Sequence, residues 1–168
     1  MIDFLRKNVW AAALLLAVRL YVGYVWVSAG LKKLFGGGFD ASGFLKGAVE
    51  KASGDRPIVQ DWWASFLQHV AIPHSQVFSF MVQWGELLVG TGLILGALTR
   101  TAAFFAIVMN LAFLLSGSIS SNPIMIILTM FILVAYTNAG RFGVDYYLLH
   151  RLKLSRRQSP QSSTSPSV

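Results

Sequence analysis

Cysteine is absent from this chain of 168 residues, and charged residues are scarce. The missing cysteines exclude disulfide scaffolds, Cys-x-x-Cys redox relays, and thiolate metal or iron–sulfur sites. Charged residues make up 12% of the chain, about half of the roughly 25% found in soluble domains. Apolar residues make up 55%, and the mean hydropathy is +0.59. This balance favours an integral membrane protein over a soluble domain.

Several cofactor signatures are missing as well. The sequence has no P-loop and no Gly-x-Gly-x-x-Gly fingerprint for NAD, and Gly36-Gly37-Gly38 is interpreted as a flexible joint. None of the three histidines lies in a long apolar run, which argues against a haem held inside a bundle. His69 and His74 could form a metal pair, but no carboxylate motif accompanies them. No metal site is therefore predicted.

The formal net charge of +7 does not indicate nucleic-acid binding. The basic residues lie mainly at the ends of apolar runs and near the C-terminus, which is typical of residues that set membrane topology. Membrane lipids are the expected partners, and nucleic acid is not.

Four apolar runs predict an all-α membrane protein built as a bundle of four transmembrane helices. A span needs about 20 mostly apolar residues. The runs cover residues 9–31, 77–98, 101–118 and 123–139. Three spans remain an alternative if the last two runs form one re-entrant hairpin. The first run could also be a signal peptide, but its length and Arg19 favour a retained helix.

The lysine and arginine count predicts the orientation in the cell membrane. With both termini on one side, that side carries eight of these residues and the other side five, not counting Arg19. The positive-inside rule then places both termini in the cytoplasm.

The first connection, residues 32–76, is much longer than the others. Apolar residues at helical spacing and a second amphipathic stretch around Trp62 and Trp63 predict a helical cap on the outer surface. The alternative is a loop ordered only by lipid. Residues 141–157 are basic and suit the inner leaflet, and residues 158–168 form a Ser/Pro-rich tail predicted to be disordered. The membrane domain is thus expected to cover residues 1–157.

Two charged residues lie inside the first two spans. Arg19 is about 15 Å into the first span and Glu86 about 13 Å into the second, so we expect them to pair at similar depth. Asn110 falls near the middle of the third span, and Tyr24 lies above Arg19. A buried polar pocket is one interpretation. A structural ion pair that only fixes helix packing is the other.

Several stretches together resemble the DoxX/DoxD family of small four-helix membrane proteins. They are Arg19-Leu20-Tyr21-Val22-Gly23, residues 28–34 and 85–90, Gly96-Ala97-Leu98-Thr99-Arg100, and Asn138-Ala139-Gly140-Arg141 followed by Asp145. The likeness covers about residues 9–149, and the long first loop is more similar to the DoxD branch.

The resemblance implies a membrane subunit of a redox system. The DoxD branch is associated with thiosulfate:quinone oxidoreductase, which oxidises thiosulfate to tetrathionate and passes the electrons to quinone. That enzyme pairs DoxD with a DoxA-type part. Only a tail is expected to follow the fourth span here, so a DoxA-like or other redox partner subunit is expected. Quinone is the expected cofactor.

The hypothesis for the site follows from these residues. Arg19 and Glu86 are the predicted catalytic residues, with Glu86 taking up quinone protons. Lys33, Asn110 and Tyr24 are predicted to bind substrate, and Lys32, Lys33 and Arg19 form a basic ladder suited to an anion. The alternative function is a non-catalytic membrane scaffold or small-molecule carrier.

Overall fold

A computed structural model describes residues 2–53 and 55–147. These residues form helices and no strand, which confirms the all-α prediction. The helices are α1 Ile2–Lys7, α2 Val9–Phe35, α3 Ala41–Glu50, α4 Asp61–Phe66, α5 Ser75–Leu95, α6 Thr99–Leu115 and α7 Asn122–Val134. A π-helical segment, Leu67–Ala71, continues α4, and a 3₁₀ turn, Tyr136–Gly140, follows α7. The predicted disordered tail and most of the predicted basic segment lie outside the described residues.

The four longest helices form a ring in which each contacts two neighbours. Helix α2 packs on α5, α5 on α6, α6 on α7, and α7 on α2. The core between them is apolar and includes Leu15, Val22, Leu93 and Ile132. Large apolar side chains also cover the outside of the ring, as expected where lipid replaces water.

Helices α2 and α5 approach closely because small residues face each other. A Cβ atom at Gly90 would lie 2.6 Å from the backbone nitrogen of Val27 and 2.7 Å from the carbonyl oxygen of Gly23. No side chain fits there without displacing backbone. This is the small-residue packing by which membrane helices gain close van der Waals contact.

Two of the four helices are long and apolar enough to cross a membrane, namely α2 with 27 residues and α5 with 21. Helices α6 and α7 are shorter apolar helices of 17 and 13 residues. Helix α7 ends before the predicted residue 139 because Tyr136 has a φ of +59°, which interrupts the helix. The turn that follows lets Asn138 Nδ2 donate to the carbonyl oxygens of Leu5 (2.8 Å) and Asn8 (3.0 Å).

The long connection between α2 and α5 contains helices, as the amphipathic pattern predicts. We call residues 39–72 the cap, and the end of the bundle that carries them the cap end. Helix α3 buries Ala41, Leu45 and Ala48 against Leu67 and Ala71. The cap is tied to the α6–α7 connection by two hydrogen bonds, from Lys51 Nζ to the Gly117 carbonyl (3.2 Å) and from Trp63 Nε1 to Ser116 Oγ (3.0 Å).

Candidate functional site

An ion pair joins α2 and α5 near the cap end. Lys33 Nζ donates to both carboxylate oxygens of Glu86, at 2.8 and 2.7 Å. The Glu86 side chain is 2% exposed and that of Lys33 is 24% exposed. The predicted pairing of Arg19 with Glu86 is therefore wrong, since Lys33 is the cation beside Glu86.

Arg19 lies at a different level of the bundle. Its Nη1 and Nη2 atoms donate to the carbonyl oxygens of Ala139 (2.7 Å) and Phe142 (2.9 Å). It also lies against Gly96, where a Cβ would come within 2.7 Å of Nη1. Gly96 is ten residues beyond Glu86, or about 15 Å along a helix. The depth estimate failed because α2 is longer than α5, so their starting residues do not mark equivalent depths.

A pocket of about 280 Å³ opens beside the Lys33–Glu86 pair. Its polar lining includes Lys33, Glu86, Asn110, Ser118, Ser120, Ser121 and Asn122. Its aromatic lining includes Trp26, Phe39, Phe44 and Phe113. We call this the polar pocket.

The aromatic wall is a connected set of rings. Trp26 stacks on Phe113 with centroids 6.4 Å apart, and Phe44 meets Phe113 edge to face at 5.9 Å. Flat apolar faces therefore stand beside charged and amide groups, which suits a planar ligand with polar edges.

Two buried polar groups lining this pocket have no hydrogen-bond partner within the described ranges. Asn110 is fully buried, and neither its Oδ1 nor its Nδ2 is bonded; Trp26, 3% exposed, has an unbonded Nε1. Buried polar atoms are nearly always hydrogen-bonded, and leaving one unpaired costs about 1–3 kcal/mol. Asn110 and Trp26 therefore bring unused hydrogen-bonding groups to the lining of this pocket.

The structure thus brings together three of the five residues predicted for the site. Lys33, Glu86 and Asn110 line one pocket. Arg19 does not line it, and Tyr24 is 67% exposed on the outside of α2. The prediction that Tyr24 contributes to the same site is corrected by this placement, because its position on α2 turns it away from the bundle interior.

The sequence carried a signal for part of the aromatic lining. Trp26, Ala29 and Lys33 follow one another at i, i+3 and i+7 on α2, and Asn110 and Phe113 at i and i+3 on α6. These spacings place each set on one helix face. Phe39 and Phe44 reach the pocket from the cap, and no local spacing relates them to α6.

Asp145, which follows one of the stretches that carry the family resemblance, lies at the end of the bundle opposite the polar pocket. Asp145 accepts hydrogen bonds from the backbone nitrogens of Leu98 (2.7 Å) and Thr99 (2.9 Å), and so caps the start of α6. Its own backbone nitrogen donates to the carbonyl of Gly96 at 2.8 Å. This network holds the chain after α7 against the α5–α6 turn.

The two histidines of the connection between α2 and α5 are bonded to backbone. Nδ1 of His69 is 2.8 Å from the Ser65 carbonyl oxygen, and Nδ1 of His74 is 2.9 Å from that of Val70. Over residues 2–53 and 55–147, no three His, Asp or Glu side chains gather where they could hold a metal ion.

Comparison with known proteins identifies the family. The family model for DoxX matches residues 14–118, well over half of the chain. The matched region contains Lys33, Glu86 and Asn110. No curated protein and no solved structure matches the chain significantly. The resemblance found in the sequence is confirmed, and the chain belongs to the DoxX family of membrane proteins.

Proposed function

We propose that this chain crosses the membrane four times and is the quinone-binding subunit of a membrane oxidoreductase such as thiosulfate:quinone oxidoreductase. Helices α2 and α5 meet the length of a span, and the apolar helices α6 and α7 complete a ring with them. With both termini in the cytoplasm, the cap end and the polar pocket face the outer side of the membrane.

The unpaired amide of Asn110 is the observation that carries the proposal. A quinone ring is flat, has apolar faces and presents two carbonyl oxygens that accept hydrogen bonds. Asn110, Trp26 and Lys33 each carry a hydrogen-bond donor, and all three line one pocket together with aromatic rings. The chemistry of a quinone ring therefore matches these donors and walls.

When bound, quinone supplies two-electron chemistry in which two protons are taken up on reduction. Lys33 and Glu86 are the ionisable groups lining the pocket. In this proposal Glu86 takes up a proton at a carboxylate oxygen and passes it to a ring oxygen, and Lys33, which is partly exposed, links that carboxylate to water. The pair thereby delivers protons to the ring oxygens and recovers them from the outer side.

Thiosulfate oxidation is assigned to a partner subunit. Lys33 is neutralised by Glu86, so the pocket has no net positive charge to offset the desolvation of a dianion. Two thiosulfate ions lose two electrons as the central S–S bond of tetrathionate forms, and these electrons reduce the quinone. Arg19 has no part in this proposal because both its Nη atoms bind backbone carbonyls away from the pocket.

Binding of a water-soluble quinone analogue to the purified protein tests the site. We expect Asn110→Leu to weaken binding at least tenfold, since it removes the amide and keeps a side chain branched at Cγ. Tyr24→Phe is the matched control on the exposed face of α2, and its affinity should equal that of the unmodified protein. Absence of binding, or unchanged affinity in folded Asn110→Leu, would overturn the quinone site.

Catalysis is tested with the protein and its co-purified partners. Thiosulfate should reduce the quinone analogue, and Glu86→Gln should abolish reduction while retaining the fold. Quinone binding without thiosulfate-dependent reduction would contradict the oxidoreductase assignment and favour a small-molecule carrier.

A further inference from the structure

A second cavity adjoins the polar pocket. It has a volume of about 90 Å³ and lies between the cap and helices α5 and α6. Leu45 and Phe66 line it from the cap, Phe78 and Val82 from α5, and Ala112 from α6. We call it the under-cap cavity.

The under-cap cavity is apolar throughout. Within the part of the chain that the structure describes, Ser116 and Trp63 are the lining residues that carry polar side-chain atoms. The hydroxyl of Ser116 accepts from Trp63 Nε1 at 3.0 Å and donates to the Ala112 carbonyl at 2.8 Å. Both polar groups are thus bonded to each other or to backbone, and the cavity offers a ligand only hydrocarbon and aromatic surface.

The two cavities share walls. Phe39, Phe44 and Phe113 line both of them. A charged and amide-lined cavity and an apolar cavity are therefore neighbours that share three aromatic side chains. A ligand that fills both must have a polar head and an apolar chain.

We infer that the under-cap cavity receives the apolar side chain of the ligand whose head occupies the polar pocket. This inference rests on the proposed function and specifies the substrate class as a lipid-borne quinone with a prenyl or alkyl chain. The cap forms the roof of the cavity, and the bonds of Lys51 to Gly117 and Trp63 to Ser116 hold that roof over α6. The cap then has a direct part in binding.

We expect the affinity of the protein for a quinone to depend on the quinone's apolar side chain. Burying one methylene contributes about 0.8 kcal/mol, which corresponds to about fourfold in Kd. A quinone with a five-carbon chain should therefore bind at least about 30-fold more tightly than the same ring without a chain, even if only half of the chain is buried. Affinities should be compared in one detergent and corrected for partition into micelles.

Filling the cavity separates this inference from the quinone site itself. Ala112→Phe should reduce the affinity for the chain-bearing analogue to that of the bare ring, and leave the affinity for the bare ring unchanged. Ala17→Phe, at an exposed position of α2, is the matched control and should change neither affinity. Val82→Phe fills the same cavity from α5 and replaces Ala112→Phe if that variant does not fold.

The outcomes are distinct. The inference is overturned, and the quinone site stands, if the bare ring binds but the apolar side chain of the quinone adds no affinity. The same holds if Ala112→Phe or Val82→Phe still binds the analogue with the side chain more tightly than the bare ring. If the bare ring does not bind the unmodified protein, the proposed function fails.

Discussion

Lys33 Nζ bonds both carboxylate oxygens of Glu86, at 2.8 and 2.7 Å, and thereby links α2 to α5 beside the polar pocket. The two partners differ in exposure, with 24% for Lys33 and 2% for Glu86. A long amine at this position can reach water if its partner is lost, whereas the carboxylate cannot.

The exposure difference predicts unequal effects of removing each partner. Lys33→Met strands a buried carboxylate and should lower the free energy of unfolding by about 3 kcal/mol. Glu86→Gln should cost clearly less, because the Lys33 amine reaches solvent. Denaturant unfolding in detergent measures both. The double change Lys33→Met/Glu86→Leu should recover most of the loss, and additive losses would contradict a direct pair.

Arg19 is expected to matter for stability and not for quinone affinity. Arg19→Met removes two charge-assisted hydrogen bonds to the carbonyls of Ala139 and Phe142, and should cost about 3 kcal/mol in unfolding free energy. Arg19→Lys keeps the charge and should recover part of this loss. A folded Arg19→Lys protein with selectively weakened quinone binding would instead support the catalytic role predicted from the sequence.

Asp145 should stabilise the start of α6. Asp145→Ala leaves the backbone nitrogens of Leu98 and Thr99 without their acceptor and should cost about 1 kcal/mol, as for loss of a helix cap. Hydrogen exchange provides a local measurement, since these two amides should lose protection before those in the middle of α6. Unchanged protection at both amides would show that the cap is not formed.

The α2–α5 contact makes Gly90 intolerant of a side chain. Gly90→Ala places a methyl group against the backbone of Val27 and Gly23 and should destabilise the protein by about 2 kcal/mol, as overpacking does. Gly47→Ala is the control, since Gly47 lies within α3 with open space around it. That change should be neutral or stabilise by about 0.5 kcal/mol through helix propensity. Equal effects at the two positions would argue against the close approach.

The cap should loosen in acid through Asp40. Hydrogen bonds from the Ser42 hydroxyl and then the Ser42 backbone nitrogen hold the pKa of Asp40 below its ordinary value. A lowered folded-state pKa means that the stabilisation is present above the unfolded-state pKa and is lost as pH falls through the folded-state pKa. Hydrogen exchange at the start of α3, compared at equal intrinsic rates, should therefore rise in acid. In Asp40→Asn this rise should be absent.

The sequence predicted which residues form helices better than it predicted how far the helices are shifted along one another. Long apolar runs with few charges fix where α2, α5, α6 and α7 lie, because this signal is local. The partner of Glu86 depends on how far α2 slides along α5, and that offset is set by the contact of Gly23 with Gly90. The length of the Lys33 side chain also decides whether its amine can contact the Glu86 carboxylate.

The pocket was predictable only in part for the same reason. Asn110 was identified because an amide inside an apolar run is unusual, and Glu86 because a charge there is costly. Phe39 and Phe44 belong to the cap, and their place in the pocket lining depends on how residues 36–40 direct the chain after α2. Apolar spacing within the cap does not encode that direction.

The unequal lengths of α2 and α7 have a consequence for the surrounding bilayer. Twenty-seven residues extend about 40 Å, whereas the thirteen of α7 extend about 20 Å, less than the roughly 30 Å hydrocarbon layer. If the chain crosses the membrane four times, as we propose, lipid beside α7 must thin or be displaced. Covering α7 with a second transmembrane protein would relieve this mismatch, so the thin flank is where we expect a membrane-embedded redox partner to attach.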